Sequence, residues 1–156
     1  MESKRFEVTA EGADAAGLML RSMRGASLRG LLQPAEGVWQ FDFEGAGLTI
    51  ECPWRIVSGG SVVLASSDQG QKFGLPAPVD LISATLEKLK GLTVETIAIN
   101  GETADLCLTF GGGTRIDTFN DSSGYEGWNY ADRDGVMLVA QGGGQLAIWI
   151  NSPKRG

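Results

Sequence analysis

Histidine is absent from the 156 residues of this chain. That absence removes the commonest general base at neutral pH, the Ser-His-Asp and Cys-His constellations, and most zinc and iron sites. Cysteine is scarce, with Cys52 and Cys107 the only two. Without histidine they cannot complete a four-ligand zinc site unless carboxylates help. Both sit in apolar, strand-like runs, which suits buried free thiols better than a disulfide. No apolar run approaches membrane-spanning length. The N-terminus, Met1-Glu2-Ser3-Lys4-Arg5, continues as Phe6-Glu7-Val8-Thr9. The apolar core of a secretory signal is therefore missing, and the expectation is a cytoplasmic protein.

Positive charge is also in short supply, with 13 Lys and Arg against 19 Asp and Glu, a net charge of −6. Residues 1–30 hold five basic residues (Lys4, Arg5, Arg21, Arg24 and Arg29) against four acidic ones, so the remaining 126 carry −7. Nucleic-acid binders neutralise phosphate with clustered Lys and Arg, and no such stripe exists here. An anionic membrane surface is disfavoured on the same grounds. Acidity keeps a protein soluble; its sharper meaning is a basic protein partner. Phosphate-binding patterns are missing too: no GxGxxG follows a strand and opens a helix, and there is no GxxxxGK[ST]. Nothing in the sequence calls for a cofactor or a resident metal.

Hydrophobic content of 42% and charge of 21% fit one globular domain spanning residues 1–156. Glycine is abundant at 23 residues and proline sparse at 5. Glycines between alternating apolar runs mark many tight turns and short strands. One motif is written twice. The first copy runs Leu28-Arg29-Gly30-Leu31, Phe41-Asp42-Phe43, Gly45 and Gly47, Ile50, Trp54, and Val62-Val63-Leu64. The second runs Leu89-Lys90-Gly91-Leu92, Leu106 to Phe110, Gly111 to Gly113, Ile116, Trp128, and Val136 to Val139. In both, the tryptophan precedes the valine by eight residues. A fixed spacing of this kind points to one supersecondary unit used twice, over about 13–75 and 76–151.

A helix is predicted over 79–90, where Val79, Ile82, Leu86 and Leu89 form one apolar stripe after Pro76 and Pro78. Another is predicted over 13–24 from Ala16, Leu20 and Met23, stopped by Gly25. Elsewhere the period is 2. Phe41 and Phe43 alternate with acids, and Leu48, Ile50, Cys52 and Trp54 read as one strand, its end placed at an edge or bulge by Pro53. Leu106, Leu108 and Phe110 share a face, as do Val136, Leu138 and Ala140; Leu146, Ile148 and Ile150 come last. Turns at 44–47, 111–113 and 142–144 read as hairpin connections. The expected fold is α+β: two helix-plus-meander units in one strongly bent, mostly antiparallel sheet or partly open barrel. About eight to ten strands would carry two helices on one side.

Carboxylates are the remaining chemistry. Asp117, Asp121, Glu126, Asp132 and Asp134 crowd one stretch, with Asn120, Ser122 and Ser123 among them. The spacing matches a calcium loop only loosely, and paired acid–base carboxylates would have to meet in a cleft. The most distinctive string is Tyr125-Glu126-Gly127-Trp128. Either these aromatics line a binding face around an acid, or they pack over the sheet edge while Glu126 caps backbone amides. The regular placement of Trp39, Trp54, Trp128 and Trp149 in strands favours packing over carbohydrate stacking.

Tyr125-Glu126-x-Trp128, the Asp134-Gly135 turn, and the run from Gly143 to Trp149 resemble the C-terminal signature of a family of small, uncharacterised bacterial proteins. The likeness covers roughly 28–149 and is most specific over 106–149. Members usually carry Pro-Gly-Gly at 142–144 and Asp-Gly at the 111–113 turn, where this chain has triple glycines. The resemblance implies a small soluble bacterial protein and no assigned activity.

Three functions follow as expectations. The first is a non-catalytic protein-interaction module, using an acidic, aromatic-bearing face at Tyr125, Glu126, Trp128 and Asp121. Small acidic α+β proteins are common among toxin-neutralising and regulatory partners in bacteria, which is an association rather than a mechanism. The second is a module holding a small molecule in the mouth of the bent sheet. The third is a carboxylate hydrolase using Glu126 and Asp121. Exposed edge strands also suit a homodimer. Residues 120–127, present only in the second copy, are where a grafted function would sit.

Overall fold

A computed structural model describes residues 5–8 and 12–151. The order is β1 (Arg5–Val8), α1 (Gly12–Met23), β2 (Leu28–Ala35), β3 (Val38–Phe43), β4 (Ala46–Ile50), β5 (Trp54–Ser58), β6 (Ser61–Ala65) and α2 (Leu81–Leu89). There follow β7 (Val94–Ile99), β8 (Leu106–Phe110), β9 (Thr114–Thr118), β10 (Trp128–Asp132), β11 (Val136–Ala140) and β12 (Leu146–Asn151). The fold is α+β. No helix among the described residues is long and apolar enough to cross a membrane.

Both helices form within about two residues of the predicted ranges. The buried face of α2 is turned from the predicted stripe: Val79 precedes the helix, and Ile82 and Leu86 are half-buried. In α1, Ala15, Ala16, Met19 and Met23 are buried while Gly17 faces solvent. In α2, Leu81, Thr85 and Leu89 are buried, and Asp80 caps the start by accepting from the backbone N–H of Ser83 at 3.3 Å. Gly25 and Gly91 follow the two helices with φ of 81° and 75°, left-handed values that end a helix at little cost to glycine.

The strands divide into two antiparallel sheets rather than closing into a barrel. One has the order β1-β12-β11-β10-β4-β3-β2, the other β6-β5-β9-β8-β7. Alternation places Phe41, Phe43, Leu48 and Ile50 of the first sheet opposite Ile56, Leu106, Leu108 and Ile116 of the second, in one continuous core. The strand expected to run from Leu48 to Trp54 is two strands in different sheets. Pro53 has no N–H to extend a ladder, and the backbone N–H groups of Glu51 and Cys52 instead donate to the Gly127 carbonyl, at 2.8 and 3.1 Å. Residues 51–53 are therefore a crossover between sheets.

The connection order repeats. One unit is α1 with β2 to β6, the other α2 with β7 to β11. Each gives three strands to one sheet, then crosses and gives two to the other. The units pair through β4–β10 and β5–β9, and each helix packs on the first strand of the opposite unit, α1 on β7 and α2 on β2. The helices thus serve opposite ends of the strand order, not one side of a sheet. Phe43 and Phe110 hold equivalent places and stack on each other with centroids 6.3 Å apart.

The equivalences differ from the sequence match in places. Leu28 to Leu31 lie in β2, whereas Leu89 to Leu92 cover the end of α2 and its turn, so that likeness is coincidental. Val94 is the counterpart of Leu28: they pair with Phe110 and Phe43 respectively, each followed by a register shift. Ile50 corresponds to Thr118, and Leu48 to Ile116. The tryptophan match stands. Trp54 opens β5 opposite Thr118, and Trp128 opens β10 opposite Ile50.

Candidate functional site

The residues singled out at 121–128 part company in the structure. Tyr125 is 85% exposed, and Asp121 and Glu126 lie at the surface. Trp128 is fully buried. It begins a central strand with its ring on the core side, and its Nε1 donates to the Ala104 carbonyl at 2.8 Å. It is therefore a packing residue and touches no partner from that position. The loop around it is tied down by Ser122, whose hydroxyl accepts from the N–H groups of Gly124 and Tyr125 at 3.1 and 2.9 Å. Capping of neighbouring amides thus falls to Ser122, not to Glu126. Asn120 anchors the loop's start: its N–H donates to Asp105 at 2.6 Å and its Nδ2 to the Thr103 carbonyl at 2.9 Å.

The crowded carboxylates disperse as well. Asp117 lies in β9 of the five-stranded sheet, bound by Arg55 at 3.1 Å and Arg115 at 3.0 Å. Asp132 closes the β10–β11 turn of the other sheet, accepting from Tyr130 Oη at 2.7 Å and from the N–H of Asp134 at 2.9 Å. Burial first, and that hydrogen bond second, push the Tyr130 phenol far up. Asp134 in turn accepts from Ser22 at 3.0 Å. Among the described residues no cluster of three acidic or cysteine side chains is arranged to hold a metal ion.

The concave feature lies elsewhere. A groove of about 1260 Å³ opens where the chain crosses between sheets at 51–55. Its walls are the β2–β3 turn, the segment 65–71, and the ends of β7, β8 and β9 that converge there. Four carboxylates line it (Glu36, Glu51, Asp105 and Asp117) against the single guanidinium of Arg55. Asp117 is held by its two arginines and Asp105 by Asn120. Glu36 and Glu51 are exposed, and neither forms an ion pair among the described residues. The groove is therefore open to a cation. Phe119, 58% exposed, adds apolar surface at its rim.

Trp39 and Trp54 form the aromatic floor. Their rings meet edge to face at 5.6 Å, and Trp54 makes a second edge contact with Phe41 at 5.1 Å. Trp54 is 2% exposed, yet its Nε1 has no hydrogen-bond acceptor among the described residues. Such an orphan is uncommon, because a buried unpaired donor costs about 1–3 kcal/mol. Both cysteines line the groove. Burial pushes the Cys52 thiol up to about 11 and raises Cys107 too. A thiol so shifted stays protonated at neutral pH and is a weak nucleophile. These groups give the groove an excess of carboxylates over an aromatic floor.

Sequence reasoning passed over Glu36, Glu51 and the groove face of Trp54. No local pattern marked them, because the groove is assembled from segments far apart in the sequence. The chain matches no family model, no curated protein and no solved structure.

Proposed function

We propose that the protein is a non-catalytic binding module that takes an extended, basic segment of a partner polypeptide in the groove between its sheets. The supporting observation is the groove itself, with Glu36 and Glu51 exposed on its walls and in no ion pair among the described residues, over the Trp39–Trp54 floor. Its volume of about 1260 Å³ exceeds the range of roughly 300–1,000 Å³ usual for small-molecule sites, which favours a chain segment over a metabolite. Phe119, just before the inserted residues 120–127, lies at the rim, and Tyr125 and Glu126 stand exposed on the insertion itself. A cytoplasmic setting agrees with two free, protonated thiols.

Capped hexapeptides of alanine alternating with lysine, serine or glutamate test this by calorimetry. The lysine peptide is expected to bind, more weakly at high salt. Changing Glu36→Lys and Glu51→Lys together is expected to abolish binding. Failure of the lysine peptide to bind, or indifference to the charge reversal, would overturn the proposal.

A specific feature favours self-association as a second property. β6, with sequence Ser-Val-Val-Leu-Ala, is an edge strand without charge or proline, and Val62 on it is 54% exposed. Edges of that composition pair readily. Its counterpart β11 is already covered by β12. Antiparallel β6–β6 pairing would join two copies. Sedimentation equilibrium should then find a dimer that Val62→Lys dissociates; a monomer throughout would exclude it.

A further inference from the structure

Between β6 and α2 the chain builds an arm, residues 71–79, exposed from 71 to 78. Gln71 and Val79 close its base: the Val79 N–H donates to the Gln71 carbonyl at 2.8 Å, and the Gly70 N–H to the Val79 carbonyl at 3.0 Å. Gln69 ties that base to α2, its side-chain oxygen accepting from the Leu81 N–H at 2.7 Å. Beyond the base the chain turns back over Lys72 to Leu75, where the Leu75 N–H donates to the Lys72 carbonyl at 2.7 Å. At the tip, Phe73 and Gly74 have φ of 47° and 77°. Glycine adopts such values freely, whereas a bulky residue is strained there. The strained residue holds its ring in solvent, with Phe73 68% and Leu75 55% exposed. Strain and exposed apolar surface in one place mark a point of contact with a partner.

We infer that the arm of one copy docks in the groove of a second copy, and that the exchange is reciprocal. Lys72 is the only charged residue between Asp68 and Asp80, and in the groove it meets the carboxylates of Glu36 and Glu51. Phe73 packs on Phe119, the exposed aromatic at the rim. Pro76 and Pro78 hold the returning strand extended before it docks, so less freedom is lost on binding. Position makes the exchange mutual. Gln69 and Gln71, at the base of the arm, also line the groove. A two-fold axis that brings one arm to the partner's groove therefore returns the partner's arm to the first. The dimer is reversible, and a basic segment of another protein has to displace the arm. This inference rests on the groove being a polypeptide site.

The test carries Val62→Lys throughout, so that β6 pairing does not contribute. Sedimentation equilibrium is expected to find a reversible dimer. Lys72→Glu, and Glu36→Lys together with Glu51→Lys, should each be monomeric at the same concentration. An equimolar mixture of these two variants should dimerise again, because each arm then faces a groove of opposite charge. A misfolded variant could not give that rescue. A monomer from the outset, a dimer indifferent to either reversal, or a mixture that stays monomeric would overturn the exchange. Calorimetry of the capped alanine–lysine hexapeptide on Lys72→Glu separates the two readings, since that variant keeps its carboxylates and loses its competitor. The peptide is expected to bind it more tightly than it binds the dimer. Equal binding sinks the exchange and leaves the groove proposal standing; no binding sinks both.

Discussion

Trp54 and Trp128 occupy matching positions, and the difference between them is one hydrogen bond whose worth can be measured in the free protein. Replacing either with phenylalanine leaves a similar void in the core. Only Trp128→Phe also strands a buried carbonyl, that of Ala104. We expect Trp128→Phe to cost about 1–2 kcal/mol more stability than Trp54→Phe, read from urea midpoints. Equal losses would mean that the Trp54 donor is satisfied in solution. The tryptophan match was legible in the sequence, because a large aromatic eight residues before a valine survives as a pattern. Which tryptophan lacks an acceptor was not legible. It depends on a loop, residues 100–105, that comes from a different strand pair and reaches Trp128 only through the fold.

At the scale of elements, helices came through best, since α1 and α2 are stripes of local spacing. The strand expected at 48–54 failed for a reason period 2 cannot express. Alternation continues in register through Cys52, although the chain changes sheet there. Hairpins at 44–47, 111–113 and 142–144 followed from glycine and formed as expected. The junction of α1 and β2 carries a pH-sensitive clasp. Glu44 accepts from the Ser27 backbone N–H at 3.0 Å and from its hydroxyl at 2.8 Å, and these bonds hold its carboxyl below the usual 4.5. A carboxyl depressed by folding contributes stability above its unfolded pKa and loses it as pH falls through the lower folded value. Glu44→Gln should therefore lower the melting temperature slightly at pH 7, and the difference should shrink as the pH is taken down below the usual carboxylate range. A constant difference across that range would remove the clasp as the cause.

For the whole molecule, α+β class and an internal repeat were both legible, whereas the exchange of strands between units was not. Sequence periodicity reports which face of a strand is buried and is silent about which strand lies beside it. Segment 71–78 links the units and is exposed throughout. Trypsin should cut at Lys72 while the product still migrates as one species with native circular dichroism. Separated fragments 1–72 and 73–156 should each be unfolded and should refold on mixing. A fragment that folds alone would show the units to be independent.

Their dependence has a consequence for how the chain reaches this structure. β4 and β5 are synthesised well before β9 and β10, yet those are the strands that lie against them. An emerging first unit can build its β2–β4 meander and the β5–β6 hairpin, but it leaves two interior strand edges open. These wait for partners 56 to 86 residues further along the chain. Folding is then governed by slow, long-range closure rather than by local propensity. During that wait the chain presents to its surroundings the same edges that later form its centre.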